Sequence, residues 1–241
     1  MTEWKRKRFW TDVTVAPAEG TAGWNVLLDG RCLRTPAKAE LILPTRAMAE
    51  ATAEEWRTQT AEIDPETMPV TRAANSALDK VTPQRDEVIA MLADYGESDL
   101  LCYRAEAPQE LALRQSEAWD PLLDWARAEL GADLKVTAGI MPHPQPATAR
   151  TALYQAIDTQ TAHEITALHD LVALSGSLII GLAAQAGVHP AAELWRRSRI
   201  DESWQEEHWG VDEDAAALAL RKHGDFMNAA YFYDLCRESA G

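Results

Sequence analysis

The hydrophobic period of this chain changes once, near residue 45, and that change limits the fold to a small sheet followed by helices. Before it, Trp10, Asp12 and Thr14 alternate with Thr11, Val13 and Val15, and Trp24, Val26 and Leu28 keep the same period of two. At that spacing side chains point alternately to the two faces of a strand. Asp29-Gly30 lies between Val26-Leu27-Leu28 and Arg31-Cys32-Leu33, which predicts a two-residue hairpin turn with positive φ. Leu41-Ile42-Leu43, ended by Pro44, supplies a further strand. So small a sheet needs something packed against it.

From Thr45 onward the pattern is helical, with a cap at Thr45 and a run through Trp56 to Gln59. A linker-like stretch from Ile63 to Pro69 then separates the two regimes. Thr82-Pro83 predicts an N-cap with proline at the first helical position, ahead of the apolar stripe Val88, Met91, Leu92 and Tyr95. Pro108 opens a helix carrying Leu111, Gln115 and Trp119, and Asp120-Pro121 starts another that ends before Gly131. After a proline-bearing loop around residues 141–146, a long helical region runs to Gly187, with small residues Ser175, Gly176, Ser177, Gly181, Ala183 and Ala184 that let backbones approach closely. His189-Pro190 begins a further helix, Asp212 caps the last one, and Leu218, Phe226, Ala229, Phe232, Tyr233 and Cys236 form its closing apolar pattern. The expectation is an α+β fold: an N-terminal antiparallel β domain with one helix over residues 1–68, and an all-helical domain over 69–241.

Composition narrows the function. The net charge of -15 repels phosphate backbones and anionic headgroups, so neither nucleic acid nor membrane insertion is expected. The only basic cluster, Lys5-Arg6-Lys7-Arg8, reads as a solvated lead-in to the first strand, or as a contact for an acidic partner. Cys32, Cys102 and Cys236 are odd in number and widely spaced, which supplies no disulfide framework and no zinc spacing. No secretory or transit leader opens the chain. Leu171 to Gly187 is short for a membrane span, which usually needs about 20 residues, and reads as a buried core helix.

Chemistry is hard to find. The phosphate-cradling loop with its Gly-Lys-Ser/Thr ending is absent, so no nucleotide site is expected. His163 and His169 are six residues apart, on different sides of a helix, and cannot pinch one ion as an i, i+4 pair does. Ser175-Gly176-Ser177 does not form a nucleophile elbow. No catalytic residue, metal site or cofactor is assigned.

The informative run is Ile200 to Gly210, with the helix before it. If residues 195–209 were one helix, Trp195, Ser198, Glu202, Gln205 and Trp209 would share a stripe about 100° wide. That stripe is part indole and part acid, with Asp201 beside it. Two readings stand: core, or an interface of the kind in which tryptophan is enriched. Trp56, within Glu54-Glu55-Trp56-Arg57, reads as a core anchor or a contact.

The chain resembles the ATP-twelve family of assembly chaperones of the F-type ATP synthase. The resemblance rests on Phe9-Trp10 with Val13 and Val15, Leu28-Asp29-Gly30-Arg31-Cys32-Leu33-Arg34-Thr35-Pro36, Ala53-Glu54-Glu55-Trp56-Arg57-Thr58-Gln59, and Met68-Pro69 with Thr71-Arg72-Ala73-Ala74-Asn75. It continues in Asp99-Leu100-Leu101-Cys102-Tyr103-Arg104, Trp119-Asp120-Pro121-Leu122-Leu123-Asp124-Trp125, and Ser198-Arg199-Ile200-Asp201-Glu202 through Gln205 to Trp209-Gly210. It implies a non-enzymatic, ATP-independent chaperone that binds the unassembled alpha subunit of the catalytic head and prevents its aggregation. It also implies sensitive positions at Trp56 and within Asp201-Glu202, and, with no import presequence, a bacterial cytoplasmic member or a mature form. Glu206 departs from the apolar residue common in the family. The partner surface expected is Asp201, Glu202, Gln205, Trp209, Trp195 and Trp56. The competing functions are a small-molecule hydrolase or transferase with a site between the two domains, and a permanent subunit of a larger complex.

Overall fold

A computed structural model describes residues 7–139, 141 and 143–237 of the chain; Lys5 and Arg6 of the basic cluster and Pro142 of the proline-bearing loop lie outside the described residues. The fold is α+β, and the chain divides into two compact units. The first comprises residues up to 85 with 162–166 and the stretch from 231, and the second comprises 86–161 and 167–230. The first unit therefore runs past residue 68 and recruits two later segments.

In the first unit β1 (Val13–Pro17) pairs antiparallel with β2 (Trp24–Leu28), which also pairs with β3 (Arg31–Cys32) and β4 (Ile42–Leu43). The predicted hairpin forms at Asp29 and Gly30, with φ of 48° and 79°, the left-handed pair that a two-residue turn requires. The Asp29 carboxylate accepts hydrogen bonds from the Thr11 and Asp12 amides at 3.0 and 2.8 Å, which pin the chain entering β1 and lower its pKa.

Helix α1 (Arg46–Thr58) covers the sheet. Thr45 caps it by accepting from the Met48 amide at 3.1 Å, as its sequence predicts, and its hydroxyl donates to the Leu235 carbonyl at 2.6 Å. Met48, Ala49, Thr52 and Ala53 are buried, as are Val26, Leu28, Leu41 and Leu43 of the sheet. Trp56 lies half-buried against the buried Trp10, with ring centroids 4.9 Å apart. Arg8 is no solvated lead-in: its guanidinium donates to the Gln59 carbonyl at 2.6 Å and lies over the Trp10 ring.

Its neighbour on α1, Glu55, organises the start of the second helix. Glu55 accepts from the amides of Val70 and Thr71 at 2.7 and 2.8 Å and from the Thr71 hydroxyl at 2.6 Å, so it caps α2 (Pro69–Ser76) from a neighbouring helix. Gln59 ties the expected linker: its side-chain carbonyl accepts from the Asp64 amide at 2.7 Å, and its side-chain amide donates to the Glu55 carbonyl and the Thr67 hydroxyl.

Thr82 caps nothing. Its hydroxyl donates to the Ala77 carbonyl, and its backbone is helical. A π turn at Ala77–Val81 carries the helical chain into Pro83; widening the turn relieves the clash and lost hydrogen bond that proline imposes inside an α-helix. Helix α3 (Arg85–Asp94) comes next.

In the second unit α4 (Gln109–Trp125) runs straight through Asp120-Pro121, where a new helix was expected. A π turn at Ala126–Leu130 extends it, closed by Gly131 at φ 71° as predicted. Asp120 pairs instead with Arg104 at 2.8 Å, and that guanidinium lies over the buried Trp119 ring at 5.1 Å. The expected long helical region is broken into three, beginning with α5 (Ala147–Asp158). Gly176 at φ 73° separates α6 (Ala162–Ser175) from α7 (Leu178–Gln185).

The break exposes backbone donors at the start of α7, and the buried Asp99 carboxylate meets them. It accepts from the Ile179 and Leu101 amides, both at 3.0 Å, and from the Ser177 hydroxyl at 2.8 Å. Burial pushes its pKa up, against the pull of those donors. The expected close approach occurs at Gly181, where an added Cβ would sit 2.9 Å from Val172. The last helices are α8 (Ala191–Ser198), α9 (Ile200–Trp209) and α10 (Glu213–Arg237), the last capped by Asp212 accepting from the Ala215 amide at 3.0 Å. Phe226, Ala229, Phe232 and Leu235 are buried along α10, but Leu218, expected with them, is exposed.

Two of these features have measurable consequences. Glu55→Ala strands two partly buried amides and lowers unfolding free energy by about 2 kcal/mol, while Trp56→Arg places a charge against Trp10 and costs about 3 kcal/mol or more; urea titration checks both. Buried His163, its pKa lowered by burial from 6.5 to about 4, binds fewer protons folded than unfolded between those values. Its contribution is whole above pH 6.5 and is lost as pH falls to 4, to a limit of about 3 kcal/mol. His163→Phe, beside Phe232, accordingly gives a shallower fall in stability than wild type over that acid range.

Candidate functional site

The segment singled out by its tryptophans and carboxylates folds as two helices, not one. At Arg199 the backbone leaves helical geometry (φ −112°, ψ 19°), and its amide bonds to the Arg196 carbonyl at 3.2 Å. The stripe expected from Trp195 to Trp209 is therefore interrupted at Arg199 and does not exist as one helix face.

Its members separate by burial. Trp195, at 7% exposure, is a core residue: its ring stacks on His223 at 5.8 Å and packs on Phe226 at 5.6 Å. Ser198 is buried too, its hydroxyl donating to the Trp195 carbonyl. Asp201, Glu202 and Trp204 are half-buried, Gln205 is exposed, and Trp209 is 77% exposed at the end of α9. Trp56 belongs to the first unit and packs on Trp10. Of the six expected residues, α9 brings together Asp201, Glu202, Gln205 and Trp209, without Trp195 or Trp56.

The two carboxylates are held differently. Asp201 accepts from the Gln115 side chain at 2.6 Å, and Gln115, buried on α4, accepts in turn from the Ala105 amide at 2.8 Å. Asp201 is thus anchored to the body of the unit. Glu202 accepts from Arg199 at 2.5 Å, a pair within its own turn. Both lie in the first turn of α9, where exposed amides favour negative charge.

In the last turn of the helix, Glu207 receives both terminal nitrogens of Arg114 at 2.8 and 2.9 Å. This bidentate pair lowers the pKa of Glu207 and joins α9 to α4 a second time. Trp204 lies with its ring stacked on His208 at 4.2 Å. Gly210, at φ 91°, then stops the helix, and Val211 is 64% exposed just beyond it.

Beside this surface an open hollow of about 370 Å³ is walled by Arg114, Glu117, Glu193, Arg196 and Arg197 over Ala118 and Ile200. Arg197 is held by Glu193 and donates to the Ala118 carbonyl at 2.9 Å, while the Trp119 indole donates to the Arg197 carbonyl at 2.8 Å. Within the wall Arg197 pairs with Glu193, and no nucleophile or histidine lines it. Among the described residues no three His, Cys, Asp or Glu side chains gather as metal ligands, and no helix is long and apolar enough to cross a membrane. The thiols of Cys102 and Cys236 are pushed up to about 12 by burial, far from the thiolate a nucleophile needs.

Gln115 and Arg114, which hold α9 in place, were missed among the expected site residues. Gln115 carried the available signal, as a polar residue in the apolar row Leu111, Gln115, Trp119 of α4. Nothing local marks Arg114, whose partner is 93 residues away.

Residues 7–127 match the family described as ATP12 chaperone protein. Atp12 from Paracoccus denitrificans shares 50% identity, covering 98% of this chain and 100% of its own, with a TM-score of 0.93. An aspartate-to-lysine mutant of P. denitrificans Atp12p shares 49% identity with the same coverage and TM-score. The Atu1473 protein of Agrobacterium tumefaciens shares 38% identity, covering 96% of this chain and 86% of its own, with a TM-score of 0.91. With matched fold, matched length and half of its residues in common with Atp12 of P. denitrificans, this chain belongs to the ATP12 chaperone family.

Proposed function

We propose that this protein is an ATP-independent chaperone in the assembly of the F-type ATP synthase, working in the bacterial cytoplasm by binding the unassembled alpha subunit. Family membership supports the chaperone part of this reading. The observation that carries the binding part is Trp209, an indole 77% exposed at the end of α9, on a helix that also exposes Gln205, Glu207 and His208 and half-covers Asp201, Glu202 and Glu206.

An isolated indole in water is a poor contribution to a monomer and a good one to an interface, where tryptophan is enriched at energetic centres. Along the same helix Asp201, Glu202, Glu206 and Glu207 supply an anionic rim. An unassembled subunit exposes apolar surface that would otherwise aggregate, and a chaperone with net charge -15 keeps the covered complex soluble. Release needs only a competing partner that binds the client better, because binding is linked by mass action. No nucleotide need be consumed.

The rim members differ in what a substitution does. Glu202 holds only its neighbour Arg199, so Glu202→Lys leaves the fold intact and acts on the client alone. Asp201→Lys also breaks the Gln115 anchor and loosens α9.

The test dilutes denatured alpha subunit into buffer without ATP and monitors light scattering. Wild-type protein at near-equimolar ratio suppresses aggregation. Glu202→Lys and Trp209→Ala each weaken capture about tenfold, roughly 1.4 kcal/mol, at unchanged melting temperature. Wild-type suppression by both folded variants would remove α9 from the client surface, and failure of the wild type itself would remove the alpha subunit as client.

A further inference from the structure

The first half of α10 does not pack as the second half does. From Glu213 to Asp225 no residue is buried, and only Ala216, Ala219 and His223 are half-covered. Those three keep the three-and-four spacing of one helix side, the side on which His223 stacks against Trp195. Away from that side the helix faces outward, with Leu218 at 45% and Leu220 at 71% exposure on two flanks about 160° apart. A helix of this length gains little stability on its own in water, and Gly224 within it lowers its propensity further.

The outer side is ordered by charge. Asp212, Glu213 and Asp214 stand at its start, Arg221 and Lys222 near its end, and only alanine and leucine lie between. Glu213, Ala217 and Arg221, each four residues from the next, form one row along it. Neither Glu213 nor Arg221 is engaged in an ion pair among the described residues.

We propose that this face is a homodimer contact in which two copies pair their α10 helices antiparallel, about a two-fold axis at Ala217. Residues 213 and 221 are equally far from 217, so reversing one helix over the other sets Glu213 of each copy against Arg221 of the other. The small Ala217 side chain lets the backbones cross closely, with the i, i+4 rows interdigitating, and Leu218 and Leu220 flank the crossing on either side. Parallel pairing would stack acid on acid. A partner of unrelated sequence has no reason to match the order acid, apolar, base, whereas a second copy matches it by symmetry, and an isologous contact closes at two copies. The contact spans little more than three turns of helix, at the small end of the interface scale, below about 1,200 Å². The association is therefore weak and concentration-dependent.

Sedimentation equilibrium of the full chain, from micromolar to several hundred micromolar, tests this. The weight-average mass should climb from 26.6 kDa toward twice that value. An all-basic variant (Glu213→Lys with Asp214→Lys) and an all-acidic one (Arg221→Glu with Lys222→Glu) should each stay monomeric, and their equimolar mixture should associate again. Leu218→Asp with Leu220→Asp should be monomeric at unchanged melting temperature; if it unfolds, the charge-swapped pair still decides. A wild type that holds 26.6 kDa throughout overturns the proposal, as does association that persists in both charge-swapped variants. Loss of client capture in the leucine variant, with a wild type that never self-associates, would likewise overturn it and give the face to the client.

Discussion

The architecture depends on helix starts that are satisfied from elsewhere in the chain. A helix leaves its first amides without partners, and burying them unpaired is costly. In each unit a carboxylate distant in sequence meets that need: Glu55 reaches α2 from α1, and Asp99 reaches α7 across some eighty residues. Both carry pKa values raised by burial and opposed by their donors. A side chain that accepts two or three hydrogen bonds from one helix start also fixes where that helix sits, so each carboxylate sets a packing geometry as well as a cap.

This explains why several blocks that carry the family resemblance are not part of the proposed client surface. Within Ala53 to Gln59, Glu55 caps α2, Trp56 packs on Trp10 and Gln59 gathers the turn at Asp64 to Thr67. Within Asp99 to Arg104 and Trp119 to Trp125, Asp99 caps α7 and Arg104 joins Asp120 over the Trp119 ring. Asp29-Gly30 makes the hairpin. These are residues whose chemistry is spent on holding the scaffold.

The two prolines inside helices show how local signals are overruled. Pro83 and Pro121 both read as helix starts, since proline suits the first helical turn. In the structure both lie within longer helical stretches with a π turn nearby, before Pro83 and after Pro121. Asp120, expected to cap, is needed by Arg104 instead. A sequence window contains the propensity but not the competing partner.

Composition, period and turn chemistry were enough to determine the α+β class, the hairpin at Asp29-Gly30, the caps at Thr45 and Asp212 and the stop at Gly131, because each depends on residues adjacent in the chain. The fate of the indole-and-acid run was decided by tertiary structure alone. The helix breaks at one residue, Arg199; before it Trp195 lies in the core against His223 and Phe226, and after it Trp209 stands in solvent. Whether Asp201 is anchored or free was likewise set by Gln115, 86 residues away. Periodicity fixes which side chains share a face only while the helix is unbroken, and the choice of what each face meets belongs to contacts distant in sequence.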